Sequence, residues 1–152
     1  MQKAFYDIVH NAPLVTALFS WFVAQLIKFT IEIIRYRKID FEKLFSSGGM
    51  PSSHSAFVTA LTTAIAFEHG FSSTYFAISC VLSLVVMYDA VGVRHETGKQ
   101  ATVINNLVDD LLDKKPDYFP EKLKELVGHT PHQVVCGAIL GVVISSIFIN
   151  LI

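Results

Sequence analysis

The stretch Gly48-Gly49-Met50-Pro51-Ser52-Ser53-His54-Ser55 decides how this chain is organised. Its glycines and proline disfavour helix as far as Pro51, after which Ser52 and Ser53 offer hydroxyl groups that cap a helix start. The amino end of a helix carries unbonded N–H groups and the positive end of the helix dipole, so it suits an anion such as phosphate. His54 would then stand in the first turn, placed to pass a proton to a bound group. The alternative is an ordinary capped helix that carries one unrelated histidine.

The composition indicates a membrane protein. The chain has 152 residues, enough for a single domain over 1–152, and 52% of them are hydrophobic while only 16% are charged. The mean hydropathy of +0.48 exceeds that of a typical soluble domain, which points to lipid as the solvent for much of the surface. A net charge of −1 gives a nucleic-acid partner no electrostatic support. Both cysteines lie inside apolar runs and predict neither a disulfide nor a metal site.

Apolar segments of near-spanning length recur along the chain, and they predict an all-α integral membrane bundle with about four membrane segments. The segments cover residues 12–34, 53–69, 71–88 and 131–152. The second is cleanly apolar only over 56–67, so either its neighbours shield it or the membrane is thin there. Residues 101–112 repeat apolar side chains at helical spacing and predict one amphipathic cytoplasmic helix. Residues 1–10 fit either an interfacial helix or a frayed end.

The distribution of basic residues predicts the orientation. They follow the first segment and fill the connection between the third and the fourth, whereas the opposite side carries only Lys3. The positive-inside rule therefore puts both termini outside and both basic segments in the cytoplasm, in the cell membrane if the source is prokaryotic. The first ten residues predict no cleavable signal peptide. All the candidate site residues then lie toward the cytoplasmic face.

A polar stripe runs along the first apolar segment. Gln25, Lys28, Glu32 and Arg35 follow one another at steps of three, four and three, so they share one side of a helix. Lys28 and Arg35 would be about 10.5 Å apart along the axis. Charges inside a membrane helix usually mark function. The alternative is a structural Lys28–Glu32 pair with Arg35 reaching the interface.

The last apolar segment opens with a capping box. Thr130 is the expected N-cap, Pro131 the first helical residue, and Gln133 stands three residues after the cap. Gly137 and Gly141 are spaced for close helix packing, and a homo-oligomer through them is a further expectation. His129 directly precedes this helix, as His54 opens the second. Two histidines at helix starts, with cations on a third helix, predict phosphoryl transfer, in which one attacks phosphorus and the other protonates the leaving oxygen.

These residues resemble the motifs of the type 2 phosphatidic acid phosphatases, whose fold is shared with vanadium haloperoxidases. That family reads K-x6-R-P, then P-S-G-H, then S-R-x5-H-x3-D. Lys28 and Arg35 match the first spacing, and Pro51-Ser52-Ser53-His54 matches the second motif with Ser53 in place of glycine. In the third motif His129 falls on the nucleophile, Gln133 on the aspartate and Leu123 on the arginine. The segment from Asp89 to Gln100 is similar to a divergent branch of the family, a group of small membrane proteins.

The resemblance implies a metal-independent phosphatase without a cofactor. His129 would attack phosphorus and form a phosphohistidine, and His54 would protonate the leaving alkoxide. The remaining groups would bind the phosphate, namely Lys28, Arg35, Ser52, Ser53 and the backbone of residues 52–54. Arg94 is the preferred substitute for the missing arginine, ahead of Lys122 and Lys124, although it also fits a solvated interfacial charge.

Gln133 is the main departure from the family. An amide can orient His129 by a hydrogen bond but cannot stabilise an imidazolium as a carboxylate does. Gln133 fits a capping residue and a weakened relay equally well, and Asp89 is a candidate substitute carboxylate. His132, like His10, His69 and His95, is expected to be incidental.

Three functions follow as hypotheses. The leading one is a membrane phosphatase acting on a lipid phosphate monoester or a pyrophosphate. The second is a protein that binds the phosphate of a lipid headgroup without turnover. The third is a metal site built from His54, His129, His132 and Asp89.

Overall fold

The computed structural model describes residues 1–36, 49–112, 123 and 128–151, and all regular secondary structure in them is helical. The helices are α1 (Gln2–Val9), α2 (Ala12–Tyr36), α3 (Ser53–His69), α4 (Thr74–Val91), α5 (Val93–Leu112) and α6 (Pro131–Ile149). The two starts that the sequence marks most clearly, at Ser53 and Pro131, are found where they were predicted. Gly48 and the two alternative cations Lys122 and Lys124 lie outside the described residues.

Three helical stretches in the described part of the chain are long and apolar enough to cross a membrane. They are Ala12–Arg35, Thr74–Asp109 and Pro131–Ile149. Helix α3 has 17 residues, so it is about 25 Å long and falls short of a bilayer core of roughly 30 Å. It packs against α2, α4 and α6. The second predicted segment is therefore a short helix shielded by its three longer neighbours.

The packing is the reverse of that in a water-soluble bundle. Small side chains fill the interior, among them Ala17, Ala24, Ala56, Ala60 and Ala64. Large apolar side chains such as Phe22, Val81, Leu84 and Ile147 are more than half exposed. In water this surface would drive association, whereas in lipid it is solvated and small residues let the helices approach closely. The predicted membrane bundle is thus confirmed.

Hydroxyl groups join α3 to its neighbours. Ser20 Oγ of α2 donates to the carbonyl oxygen of Ala56 at 3.2 Å, and Ser83 Oγ of α4 donates to that of Val58 at 2.9 Å. Thr59 Oγ1 lies 3.1 Å from a carbonyl oxygen of α6. Such interhelical hydrogen bonds satisfy polar groups that lipid cannot.

Gly137 and Gly141 allow α6 to lie directly against α3. A Cβ atom at Gly137 would collide with the carbonyl oxygen of Ser52, and one at Gly141 would collide with Thr59 Oγ1 and the carbonyl oxygen of Ala56. The predicted close packing is confirmed, and both glycines serve it within the chain. Both are buried against α3 within the chain, and a homo-oligomer through this pair stays a prediction.

Helix α5 begins directly after Gly92, earlier than the amphipathic pattern alone predicted. The amide of Gly92 donates to the carbonyl of Tyr88 at 2.8 Å, and that of Glu96 donates to the carbonyl of Gly92 at 3.0 Å. Helical hydrogen bonding therefore continues from α4 into α5. Of the apolar residues predicted to share one face, Ala101 is buried, whereas Ile104 and Leu107 are exposed, so the protein covers only part of the predicted apolar face.

Candidate functional site at the starts of α3 and α6

Ser52 anchors the start of α3. Its hydroxyl accepts hydrogen bonds from the Ser55 amide at 3.4 Å and from the Ser55 hydroxyl at 2.9 Å, which confirms it as the N-cap. Its amide donates to the carbonyl oxygen of Gln133 at 3.0 Å, and the residue is completely buried. Both polar groups of Ser52 that the sequence assigned to phosphate binding thus face the protein.

Two residues, Ser53 and His54, follow Ser52 in the first turn of α3. The amides of the first turn have no acceptor within a helix, and those of Ser55 and Ala56 are satisfied by Ser52. The amides of Ser53 and His54 lie between Ser52 and Ser55 in the same turn. The Ser53 residue is buried, whereas His54 is exposed. The start of α3 therefore pairs buried backbone with an accessible imidazole.

Lys28 reaches the same place from α2. It is 2% exposed, and its stem passes Gly49, where an added Cβ atom would lie 3.1 Å from both Lys28 Cγ and Cδ. Gly49 also has φ +96°, a conformation that disfavours other residues. Glu32 lies one helical turn beyond Lys28 and interacts with its charge. This interaction is consistent with the alternative of a structural Lys28–Glu32 pair. Arg35 is exposed, two helical turns beyond Lys28.

His129 is held in one orientation by Gln133. The ring is 3% exposed, and its Nδ1 lies 3.1 Å from Gln133 Oε1. The Thr130 amide donates to the same oxygen, also at 3.1 Å. A backbone N–H can only donate, so the Gln133 atom at this position must be the oxygen. His129 Nδ1 must then donate as well, and the lone pair of the neutral ring lies on Nε2. The capping and orienting roles, treated as alternatives from the sequence, are performed by one atom.

The end of α4 completes the site. The His129 amide donates to the carbonyl oxygen of Ala90 at 3.1 Å, which brings the neighbouring Asp89 close to the histidine segment. Asp89 is partly buried. Arg94 lies in the first turn of α5, but its side chain is outside the described part of the structure. Four separate segments, carrying Lys28, Ser52, Ala90 and His129, are therefore joined by contacts of this one region.

Leu123, which the resemblance aligns with an arginine, contacts α5. The side-chain amide of Asn105 donates to the carbonyl of Leu123 at 2.9 Å and accepts from its amide at 3.0 Å. These two hydrogen bonds secure the backbone of Leu123 to α5.

Three of the other histidines, His10, His69 and His132, contact groups away from this region or face outward, and the His95 side chain lies outside the described part of the structure. His10 stacks on Tyr6, and His69 lies near Tyr75 at the far end of α3. His132 is exposed on the first turn of α6. In the described residues no group of three or more His, Cys, Asp or Glu side chains is arranged to hold a metal ion, so the metal-site hypothesis lacks a cluster to build on.

Sequence reasoning missed three contacts of the site: Gly49 against Lys28, Ser52 amide against the Gln133 carbonyl, and His129 amide against the Ala90 carbonyl. Each joins residues far apart in the chain, and two depend on backbone carbonyls, which no side-chain pattern marks. Of these three contacts, only the one at Gly49 had a marker in the sequence, because Gly49 stands two residues before Pro51 of the second motif.

Comparison with known families identifies the class of protein to which the chain belongs. The model of the Divergent PAP2 family matches residues 9–144, and the chain belongs to that family. The chain is also 43% identical, over 93% of its length and 96% of the relative's, to the uncharacterized membrane protein YuiD of Bacillus subtilis (strain 168). No solved structure matches significantly. The matched residues include Lys28, Ser52, Ala90 and His129.

Proposed function

We propose that this protein is a membrane phosphatase that hydrolyses a lipid phosphate monoester or a pyrophosphate through a phosphohistidine at His129. The observation that carries the proposal is the pair of hydrogen bonds to Gln133 Oε1, which leaves the lone pair of the neutral His129 ring on Nε2. A nucleophile needs that lone pair and a fixed direction of attack. The site faces the cytoplasm and the termini lie outside in this proposal, as the basic residues predict.

In the first step Nε2 of His129 forms a bond to phosphorus while the bond from phosphorus to the leaving oxygen breaks. His54 in its protonated form gives its proton to that oxygen, and the alcohol departs. In the second step His54 takes a proton from water, whose oxygen attacks the phosphohistidine and releases inorganic phosphate. His129 regains the Nε2 lone pair, and atoms and charge are restored.

Positive groups stabilise the charge on phosphorus-bound oxygens in both steps. Lys28 supplies a buried cation, and the Ser53 and His54 amides supply donors at the positive end of α3. Phosphoryl transfer relies mainly on such positioning and electrostatics. Arg35 and Arg94 would extend the same grip toward the membrane surface, and Asp89 would support the site beside Ala90.

A lipid substrate is supported by the placement of the two histidines. His129 is buried among helices of a membrane bundle, while His54 is exposed. The phosphate would enter the buried part, and the leaving alcohol would remain on the open side near His54. Such a site encloses the phosphate without having to enclose a long apolar tail.

The competing function is phosphate binding without turnover, and Gln133 is the observation that favours it. An amide accepts the hydrogen bond of His129 without contributing a negative charge to an imidazolium. The test is release of inorganic phosphate by purified protein from a panel of lipid phosphates and pyrophosphates. His129→Ala is the inactive variant, and His132→Ala, three residues further on and exposed, is the matched control.

We expect wild type and His132→Ala to turn over at equal rates, with EDTA harmless and His129→Ala inactive. Binding of lipid phosphate without any release would establish the competing function. Equal turnover by His129→Ala would overturn the phosphohistidine mechanism, and loss of activity on chelation would favour a metal site.

A further inference from the structure

Helix α1 has two chemically distinct faces. One face is apolar and consists of Ala4, Phe5, Ile8 and Val9. Ala4 and Ile8, like Phe5 and Val9, are four residues apart, which places them on the same side of a helix. Lys3 and Asp7 lie on the opposite side. Each stands two positions before a residue of the apolar face, and residues i and i+2 of a helix point about 200° apart. This separation is complete within eight residues, which is the pattern of a helix that lies at a boundary between apolar and polar surroundings.

The apolar face is not covered by the protein. Phe5 is 70% exposed, Ile8 57% and Val9 50%, and α1 contains no buried residue. On the polar side Tyr6 and His10 are ordered against each other, with ring centroids 3.8 Å apart and His10 Nδ1 2.8 Å from the Tyr6 carbonyl oxygen. The helix is thus formed, and within the described part of the chain its large apolar side chains remain mostly exposed.

The connection to α2 determines where α1 lies. Only His10 and Asn11 separate the two helices, and the amide of Asn11 donates to the carbonyl of Ile8 at 3.3 Å. Asn11 then caps α2, because its side-chain oxygen accepts from the Leu14 amide at 3.0 Å. Since α2 is a membrane-spanning stretch from Ala12 onward, α1 is held within a turn of the point where that span begins.

Lipid fits this face better than a second copy of the chain. Four side chains on a helix about 12 Å long fall well short of the roughly 1,000 Å² that a specific protein interface buries. The neighbouring outer surface of α2 is also apolar, with Leu18, Phe19 and Phe22 exposed. Exposed apolar side chains therefore continue along the chain from α1 into the first part of α2. An aromatic ring such as that of Tyr6 is typical of the headgroup level.

We propose that α1 is an interfacial helix that inserts Phe5, Ile8 and Val9 among the lipids where α2 enters the membrane, with Lys3 and Asp7 in the headgroup layer. The inference rests on the fold alone and is independent of any catalytic activity. It assigns the amino-terminal helix a membrane-surface contact in addition to the spanning helices.

The test uses tryptophan fluorescence of the full chain in vesicles of phosphatidylcholine and phosphatidylglycerol. Trp21 is the only tryptophan, so Trp21→Phe provides a silent background. Phe5→Trp and Asp7→Trp then place single probes on opposite faces of the same helix. We expect Phe5→Trp to emit at shorter wavelength and to be quenched by lipids brominated near the headgroup. Asp7→Trp should emit at longer wavelength and be quenched by aqueous iodide.

Equal accessibility of the two probes to iodide would overturn the proposal, because α1 would then lie in water. Protection of Phe5→Trp that disappears as the protein is diluted in lipid would also overturn it, since a second copy would then cover the face. Protection that is unchanged by dilution, together with quenching by brominated lipid, supports the interfacial helix.

Discussion

His129 and Gln133 share a hydrogen bond whose acceptor has a second donor: Gln133 Oε1 accepts from His129 Nδ1 and from the Thr130 amide, each at 3.1 Å. The second donor is backbone and cannot rotate or change its protonation. It therefore locks the amide orientation, and the amide orientation locks the tautomer of the histidine. One residue couples the stability of the α6 start to the geometry of the proposed nucleophile.

Gln133→Glu is expected to raise kcat while leaving the thermal stability of the protein nearly unchanged. Glutamate serves a capping box as well as glutamine does, so the Thr130 contact is kept, while the new charge stabilises the imidazolium. Replacing the carboxylate of a Ser-His-Asp triad by an amide lowers kcat by about 10⁴-fold, which is the upper limit for the gain in kcat here. We expect Gln133→Glu to raise kcat by at least about tenfold. The measurement is kcat alongside thermal unfolding in detergent. Unchanged kcat would return Gln133 to a purely capping role.

His54→Ala is expected to show a loss that depends on the leaving group. Without the general acid, an alkyl phosphate should be hydrolysed about 10²–10⁴-fold more slowly, whereas an aryl phosphate with an acidic phenol should lose much less. His129→Ala should lose both substrates, because it removes the nucleophile. Steady-state rates on one alkyl and one aryl phosphate make the comparison. Equal losses on both would contradict a proton-donating role for His54.

Gly49→Ala is expected to reduce activity through Lys28. The added methyl group would press on the Lys28 stem, and alanine at φ +96° carries a backbone cost of about 1–2 kcal/mol. Gly70→Ala is the matched control, since Gly70 has φ +81° with no atom within 4 Å of an added Cβ. Both variants should lose similar stability, and only Gly49→Ala should also lose kcat/KM, as Lys28→Met does. Equal kcat/KM for Gly49→Ala and Gly70→Ala would contradict a role of the Gly49–Lys28 contact in substrate binding or turnover.

Gly137→Ala is expected to destabilise the protein by about 1–3 kcal/mol, since the methyl group collides with the Ser52 carbonyl. In a helix without such a contact the same change gains up to about 1 kcal/mol. Val142→Ala, on the exposed side of α6, is the comparison and should have a much smaller effect. Thermal unfolding in a mild detergent measures both. A stabilised Gly137→Ala would mean that α6 and α3 are not in direct contact there.

Much of the fold was accessible from the sequence because its signals are local. The caps at Ser52 and Thr130 lie within three residues of the groups they serve, and hydropathy marks each long helix over its own length. The start of α5 was misplaced, because continuation of helical hydrogen bonding through Gly92 depends on backbone conformation that the polar composition around it does not indicate.

The sequence by itself determined the all-helical membrane architecture, the helix starts at Ser53 and Pro131, and the set of charged and histidine residues available for chemistry. Only the tertiary structure decided that Ser52 faces inward, that Lys28 passes Gly49, and that Gln133 orients His129 with the same oxygen that caps α6. The physical reason is the range of the interactions. Periodicity and capping act within a few residues, whereas these contacts form only when α2, α3 and α6 pack closely enough for backbone and side-chain atoms to meet.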